Sequence, residues 1–245
     1  MKSQKSYFAY LLIIILLFVL WIGASVLKEK TRLEANIRSW SPENISLEDL
    51  GFTPPRFQEG YNIRKQNIYW KDAPLIAAFA YSDQRHFSSV ILFGPDFNGE
   101  TEIKDILILS NGNDGVYIDK IPQIIQVLDI NGDNNPEFIV DMGSYIDLEP
   151  AATGTKYTIL SYDIRNQDLI WLPFVDLNAA GQEVERPYSW FVRCEAEGLI
   201  LSFECDPETH TIRQYMGTKA DENNDWKWQE AVYELAPGSN VIHYK

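Results

Sequence analysis

With 245 residues, 45% of them hydrophobic and 13% aromatic, the chain has enough apolar material for a packed core, which excludes an intrinsically disordered protein. Its formal charge is −14; because 16 of the 21 basic residues and 34 of the 35 acidic ones follow Arg32, the part beyond that residue carries −18. Such a charge repels nucleic-acid phosphates and anionic lipid surfaces and favours cations and basic partners, so no nucleic-acid partner is expected.

The first predicted element is apolar. Residues 7–26, YFAYLLIIILLFVLWIGASV, hold no charge over a length close to the ~20 residues of a membrane-spanning helix, with Tyr7 and Trp21 near its ends. A cleaved signal peptide is the alternative, with Gly23 and Ser25 as its cleavage site, but its apolar core would be shorter, roughly 7 to 15 residues. The favoured reading is an uncleaved single-pass helix, continuing as a stalk over residues 27–38. Lys2 and Lys5 precede the span while Lys28, Lys30 and Arg32 follow it, so flanking charge does not settle the orientation. The N-terminal position of the span and the calcium argument below place the bulk of the chain outside the cytoplasm. Three segments result: residues 1–40 as tail, transmembrane helix and stalk, residues 41–60 as linker, and residues 61–245 as a β-rich extracytoplasmic domain. Within the linker, Pro42, Gly51, Pro54, Pro55 and Gly60 punctuate one predicted helical turn at 46–50.

Beyond Tyr61 the apolar runs are short and rich in β-branched and aromatic residues: IYW, PLIAAFAY, FSSVILFG, IKDILILS, IIQVL, EFIVDM, KYTILSYD, LIWLPF, YSWFV, LILSFE, TIRQYM, WQEAVYEL and VIHY. Asn, Asp, Gly and Pro separate them, no long helical period intervenes, and no β-α-β alternation is present. This predicts an all-β fold of antiparallel sheets, propeller-like or sandwich-like, behind the N-terminal transmembrane helix.

Between two of these runs lies VLDINGDNNPEFIV, in which Asp129, Asn131 and Asp133 recur at every second position and Glu137 follows. Alternate side chains of a tight loop converge, so Asp129, Asn131 and Asp133 could offer side-chain oxygens, Asn135 its backbone carbonyl and Glu137 a closing carboxylate to one calcium ion. Gly132 and Asn134 supply the left-handed backbone such a loop needs. The bland alternative is a solvated hairpin in which Asn and Asp cap their own backbone. GPDFNGETEIKDILIL echoes the pattern at Asp96, Asn98 and Glu100, and ADENNDWKWQEAVYEL does so at Asp221, Asn223 and Asp225.

The segment resembles the FG-GAP or VCBS-type repeat, the calcium-loop β unit of integrin α-subunits and many bacterial surface proteins. The match runs through Asp129, Asn131, Gly132, Asp133, Pro136 and Glu137 and departs at Asn134, where the family most often has glycine. The resemblance implies a structural calcium ion fixing a β connection, within a chain long enough for only a fraction of a propeller.

The sequence holds no G-x-S-x-G elbow, Walker loop or H-E-x-x-H motif, and His86, His210 and His243 are scattered and read as surface or edge-strand residues. Asp147 with Glu149, or Glu183 with Glu185, are the carboxylate pairs that a glycan hydrolase would use. Trp226 and Trp228 share a strand face and read as core aromatics. Cys194 and Cys205 fall on a hairpin turning near Ala196 and Glu197, which sets Cys194 opposite Leu199 and predicts two free thiols. The expected function is protein binding, in the manner of an inhibitor-type module loosely similar to periplasmic proteins that neutralise cell-wall hydrolases. A basic protein is the expected partner. An envelope glycan hydrolase and a structural subunit of an envelope complex are the alternatives.

Overall fold

The computed structural model describes residues 22, 24–32, 40–52, 60–71, 73–96, 98–110, 119–148, 152–177, 180–196, 198–219 and 226–245. Most of the predicted membrane span lies outside them. Among the described residues, 24–32 are helical, and no helix is long and apolar enough to cross a membrane.

The strand-rich sequence folds as antiparallel meanders. The first sheet runs β1 (Asn62–Trp70), β2 (Ala73–Ser82), β3 (Phe87–Pro95) and β4 (Thr101–Ser110) in chain order. The second meander is β5 (Gln123–Leu128), β6 (Glu137–Leu148), β7 (Ala152–Asp163) and β8 (Asp168–Trp171). After β9 (Phe174–Leu177) and β10 (Glu183–Arg186), the third is β11 (Phe191–Ala196), β12 (Leu199–Asp206), β13 (Thr211–Lys219) and β14 (Trp226–Glu234), closed by β15 (Ile242–Tyr244). β11 pairs with the first half of β7 and joins the second and third meanders into one strand path. The pairing of β15 with β9 is parallel.

Burial explains why the middle runs are continuously apolar instead of alternating. Phe138, Val140 and Met142 of β6, with Leu160 and Tyr162 of β7, pack against Phe79, Tyr81, Leu92 and Leu109 of the first sheet. On the opposite face, Ile139 and Ile159 pack with Phe191, Phe203, Ile212 and Tyr233 of the third meander. A strand buried on both faces has no solvent side to mark with polar residues. Each fully buried Phe, Leu or Ile there contributes on the order of 1.5–3 kcal/mol of burial free energy.

A third cluster covers the outer face of the first sheet. Trp40, Ile45, Leu50 and Phe52 pack with Ile76, Ala78, Ile91 and Phe93, and the Trp40 indole N–H donates to Thr101 Oγ1 at 2.9 Å. The Lys65 ammonium donates to the carbonyls of Pro42 and Ile45. Residues 40–52, read from the sequence as the end of the stalk and the start of a linker, therefore lie against β1, β2 and β3. The expected helical turn at 46–50 forms, with Ser46 Oγ accepting the Asp49 N–H and Asp49 Oδ2 accepting the Ser46 N–H, a reciprocal cap.

Three hairpins, β2–β3, β7–β8 and β12–β13, turn in the same way. Each four-residue turn ends in a left-handed residue: His86 (φ 48°), Gln167 (φ 56°) and His210 (φ 56°). In the last two, an aspartate at the strand end accepts the N–H groups of the turn, Asp163 from Arg165 and Asn166, Asp206 from Glu208 and Thr209.

Candidate metal centre

The segment VLDINGDNNPEFIV forms the connection from β5 to β6. Gly132 (φ 69°) and Asn134 (φ 71°) both take the left-handed conformation, so the backbone winds tightly enough to turn Asp129, Asn131, Asp133 and Asn135 toward the loop's own centre. Asp129 Oδ2 accepts the Asn134 N–H at 3.1 Å. Asp133 Oδ1 accepts the Asn135 N–H at 2.7 Å, and its Oδ2 accepts the side-chain amides of Asn131 and Asn135 at 3.0 and 3.2 Å. Asn135 Oδ1 accepts the Ile164 N–H at 3.2 Å, which commits that side chain to the β7–β8 turn and leaves the backbone carbonyl as the oxygen available to a ligand.

Glu137 opens β6 and is fully buried. Its carboxylate accepts the Ile130 N–H at 2.6 Å and the Ser161 hydroxyl at 3.0 Å. Burial, with further repulsion from Asp133 and Asp129, pushes its pKa up from 4.5 to about 7, against the pull of those two donors. Asp129 Oδ1 is buried and has no hydrogen-bond partner. An unpaired buried carboxylate oxygen is costly, and a cation satisfies it directly.

All three meanders reach this loop. From the β1–β2 turn, the Trp70 indole N–H donates to the Asn134 carbonyl at 3.2 Å, and the Lys71 ammonium donates to Asn134 Oδ1 at 2.8 Å while standing 3.8 Å from Asp129 Oδ2. From the third meander, His210 Nδ1 lies 2.6 Å from the Ile130 carbonyl oxygen. The Ser239 carbonyl accepts the Asn131 amide at 3.1 Å. Sequence reasoning set His210 aside as a surface or edge residue; the β12–β13 turn instead carries it onto the loop, a placement no local pattern signals.

The donor set is made of oxygens alone, which suits a hard divalent cation such as calcium. Asp129, Asn131, Asp133, the carbonyl of Asn135 and Glu137 are the groups that could hold it. Among the described residues, no three His, Cys, Asp or Glu side chains are drawn into one ready cage. Asp129, Asp133 and Glu137 are each turned to N–H or O–H donors.

The other sequence candidates are placed differently. The Asp96 loop joins β3 to β4, the third connection of its meander, whereas the Asp129 loop is the first connection of the next one, so the two do not occupy equivalent positions. Asp96 Oδ1 accepts the N–H groups of Asn98 and Glu100 at 2.8 and 2.7 Å, a self-capped turn. Asp221, Asn223 and Asp225 lie outside the described residues, as does Glu149. Glu183 and Glu185 are exposed on β10. Trp226 and Trp228, expected in the core, stand on β14 with ring centroids 6.1 Å apart, and Trp228 is 56% exposed. Cys194 and Cys205 are free, and Cys194 faces Leu201 rather than Leu199, because the left-handed Gly198 (φ 83°) draws the turn toward itself and Ala196 pairs with Leu199. No family model, curated protein or solved structure matches the chain.

Proposed function

We propose that the chain is a membrane-anchored, extracytoplasmic β-protein in which the Asp129–Glu137 loop holds a structural calcium ion and the folded part serves as a protein-binding module. The observation that carries the calcium reading is the convergence on one loop of Asp129 with its unpaired buried oxygen, Asp133 and the buried Glu137. Bound there, the ion supplies positive charge: it neutralises part of three negative charges and locks a connection on which three meanders close. In this reading the meanders are propeller-like units packed through two cores, the second and third also joined edge to edge by β7 and β11, and the loop is the clip between them.

The uncharged run at residues 7–26 supports the anchor, and a formal −18 beyond Arg32 supports a basic protein as the partner. A rigid calcium-fixed connection presents neighbouring loops in one conformation and lowers the ordering cost of binding. Calorimetry with the full chain in mild detergent tests the site. Calcium at a dissociation constant on the order of 10⁻⁴ to 10⁻³ M is expected. Stability should rise with the metal, and both effects should vanish in the double variant Asp129→Ala/Asp133→Ala. Capture of a basic partner from membranes, lost on chelation, tests the module; capture indifferent to chelation and to the double variant would count against it.

A further inference from the structure

The Lys71 ammonium is the one cation whose contacts place it on the oxygens of the loop among the described residues: 2.8 Å from Asn134 Oδ1 and 3.8 Å from Asp129 Oδ2. It comes from another sheet, directly after Trp70 at the end of β1, and Lys71 itself takes the left-handed conformation (φ 50°) that brings the side chain round. The ammonium also lies 4.8 Å from the centre of the Trp70 ring, whose N–H bonds to the Asn134 carbonyl. Its side chain is 51% exposed, so water is available to take it up when it leaves.

Resting on the calcium reading, we propose that Lys71 is the tethered counter-ion of the metal-free loop and sets its affinity. A divalent cation bound between Asp129 and Asp133 lies within a few ångströms of the ammonium and repels it, so metal entry displaces Lys71 and loosens the turn that carries Trp70. Metal loading is thereby linked to how the first sheet holds the second.

The test is calcium titration of the full chain in mild detergent, wild type beside Lys71→Gln and Lys71→Arg, read both by calorimetry and by the intrinsic tryptophan emission to which Trp70 contributes. Removal of the charge is expected to tighten calcium binding about three- to tenfold, the size of a partly screened interaction between a monovalent and a divalent charge at this range. The emission change on loading should shrink in Lys71→Gln. Lys71→Arg, which keeps the charge, should stay within about twofold of wild type. Unchanged or weaker binding by Lys71→Gln, in a wild type that binds calcium at the loop, overturns the proposal and leaves the site standing. A wild type that binds no calcium, or binds it equally after Asp129→Ala/Asp133→Ala, overturns the site and this inference with it.

Discussion

The imidazole of His210 rests on Gly132: its Nδ1 lies 2.6 Å from the Ile130 carbonyl oxygen, and its Cε1 stands 2.9 Å from the point a Cβ on Gly132 would occupy. Gly132 thus answers two demands, the left-handed backbone and the close seat for a ring from a distant hairpin. Gly132→Ala should destabilise the protein by about 1–3 kcal/mol, part from backbone strain and part from collision with the ring. His210→Ala in the same chain removes the collision but not the strain, so the double variant should lose less than the two single losses combined. Chemical denaturation of the four proteins measures this, and strictly additive losses would show that the ring does not press on Gly132.

Glu137 dictates a pH dependence. Its pKa is raised from 4.5 to about 7 in the fold, so between those values the folded chain holds a proton that the unfolded chain has released. Its contribution therefore makes stability fall as pH rises from about 4.5 to about 7 and level off above, by up to about 3 kcal/mol in the absence of calcium. Glu137→Gln, which stays neutral, should abolish that part of the slope. Urea unfolding in chelator from pH 4.5 to 8 reads it directly; equal slopes for both proteins would dismiss the buried carboxylate as the cause. Calcium prefers the ionised form, so its binding should tighten between pH 6 and 8.

The strands were legible because their apolar runs are short and clearly bounded, and each of the thirteen runs contributes to a strand. LIWLPF divides into β8 and β9 at Leu172 and Pro173, where the proline cannot donate to a ladder. β10, EVER, was missed because all four of its residues are exposed and it carries no apolar signature. The loop from Asp129 to Glu137 was legible through its alternating oxygens, and Gly132 and Asn134 adopt the left-handed conformation their identities allow. Lys71, His210 and Ser239 were not, because they arrive from other meanders and only the stacking of sheets brings them near. The cysteine hairpin slipped for a local reason: Gly198 attracts the turn, and the expected turn stopped short of it.

Gln66 should matter more than a polar, half-buried position on an end strand would suggest. Its side-chain amide meets Ile124 twice, accepting the Ile124 N–H at 2.9 Å and donating to the Ile124 carbonyl at 2.5 Å, at the point where the β5–β6 register shifts between Ile124 and Gln126. β5 is the end strand of its sheet, so one side of its backbone has no neighbouring strand, and here a side chain from the other sheet takes the place of one. Gln66→Ala should cost about 1–3 kcal/mol, most of it from stranding those groups. Hydrogen exchange gives the sharper check, because the Ile124 amide should lose protection in the variant while Phe79 and Leu92 in the first core keep theirs. An unchanged Ile124 rate would mean water replaces the amide at no loss.

The two cysteines should be inert in the native protein and unlinked to each other. Cys194 pairs with Leu201, which lies four residues before Cys205 on the same strand, or about 13 Å at ~3.3 Å per residue, well beyond disulfide reach. Burial raises the thiol of Cys194 and pushes that of Cys205 up to about 12, with Arg193 only partly offsetting it, so at pH 8 the reactive thiolate is scarce at both. An aromatic disulfide reagent should therefore label neither residue within minutes at pH 8 and both at once in denaturant, with identical masses before and after reduction. If calcium clips the meanders together, slow native labelling should become slower still when the metal is added, because modification then waits for the third meander to open. Labelling of Cys205 at a free-thiol rate in the folded protein would contradict its half-buried packing against the core that holds Ile130 and Ile139.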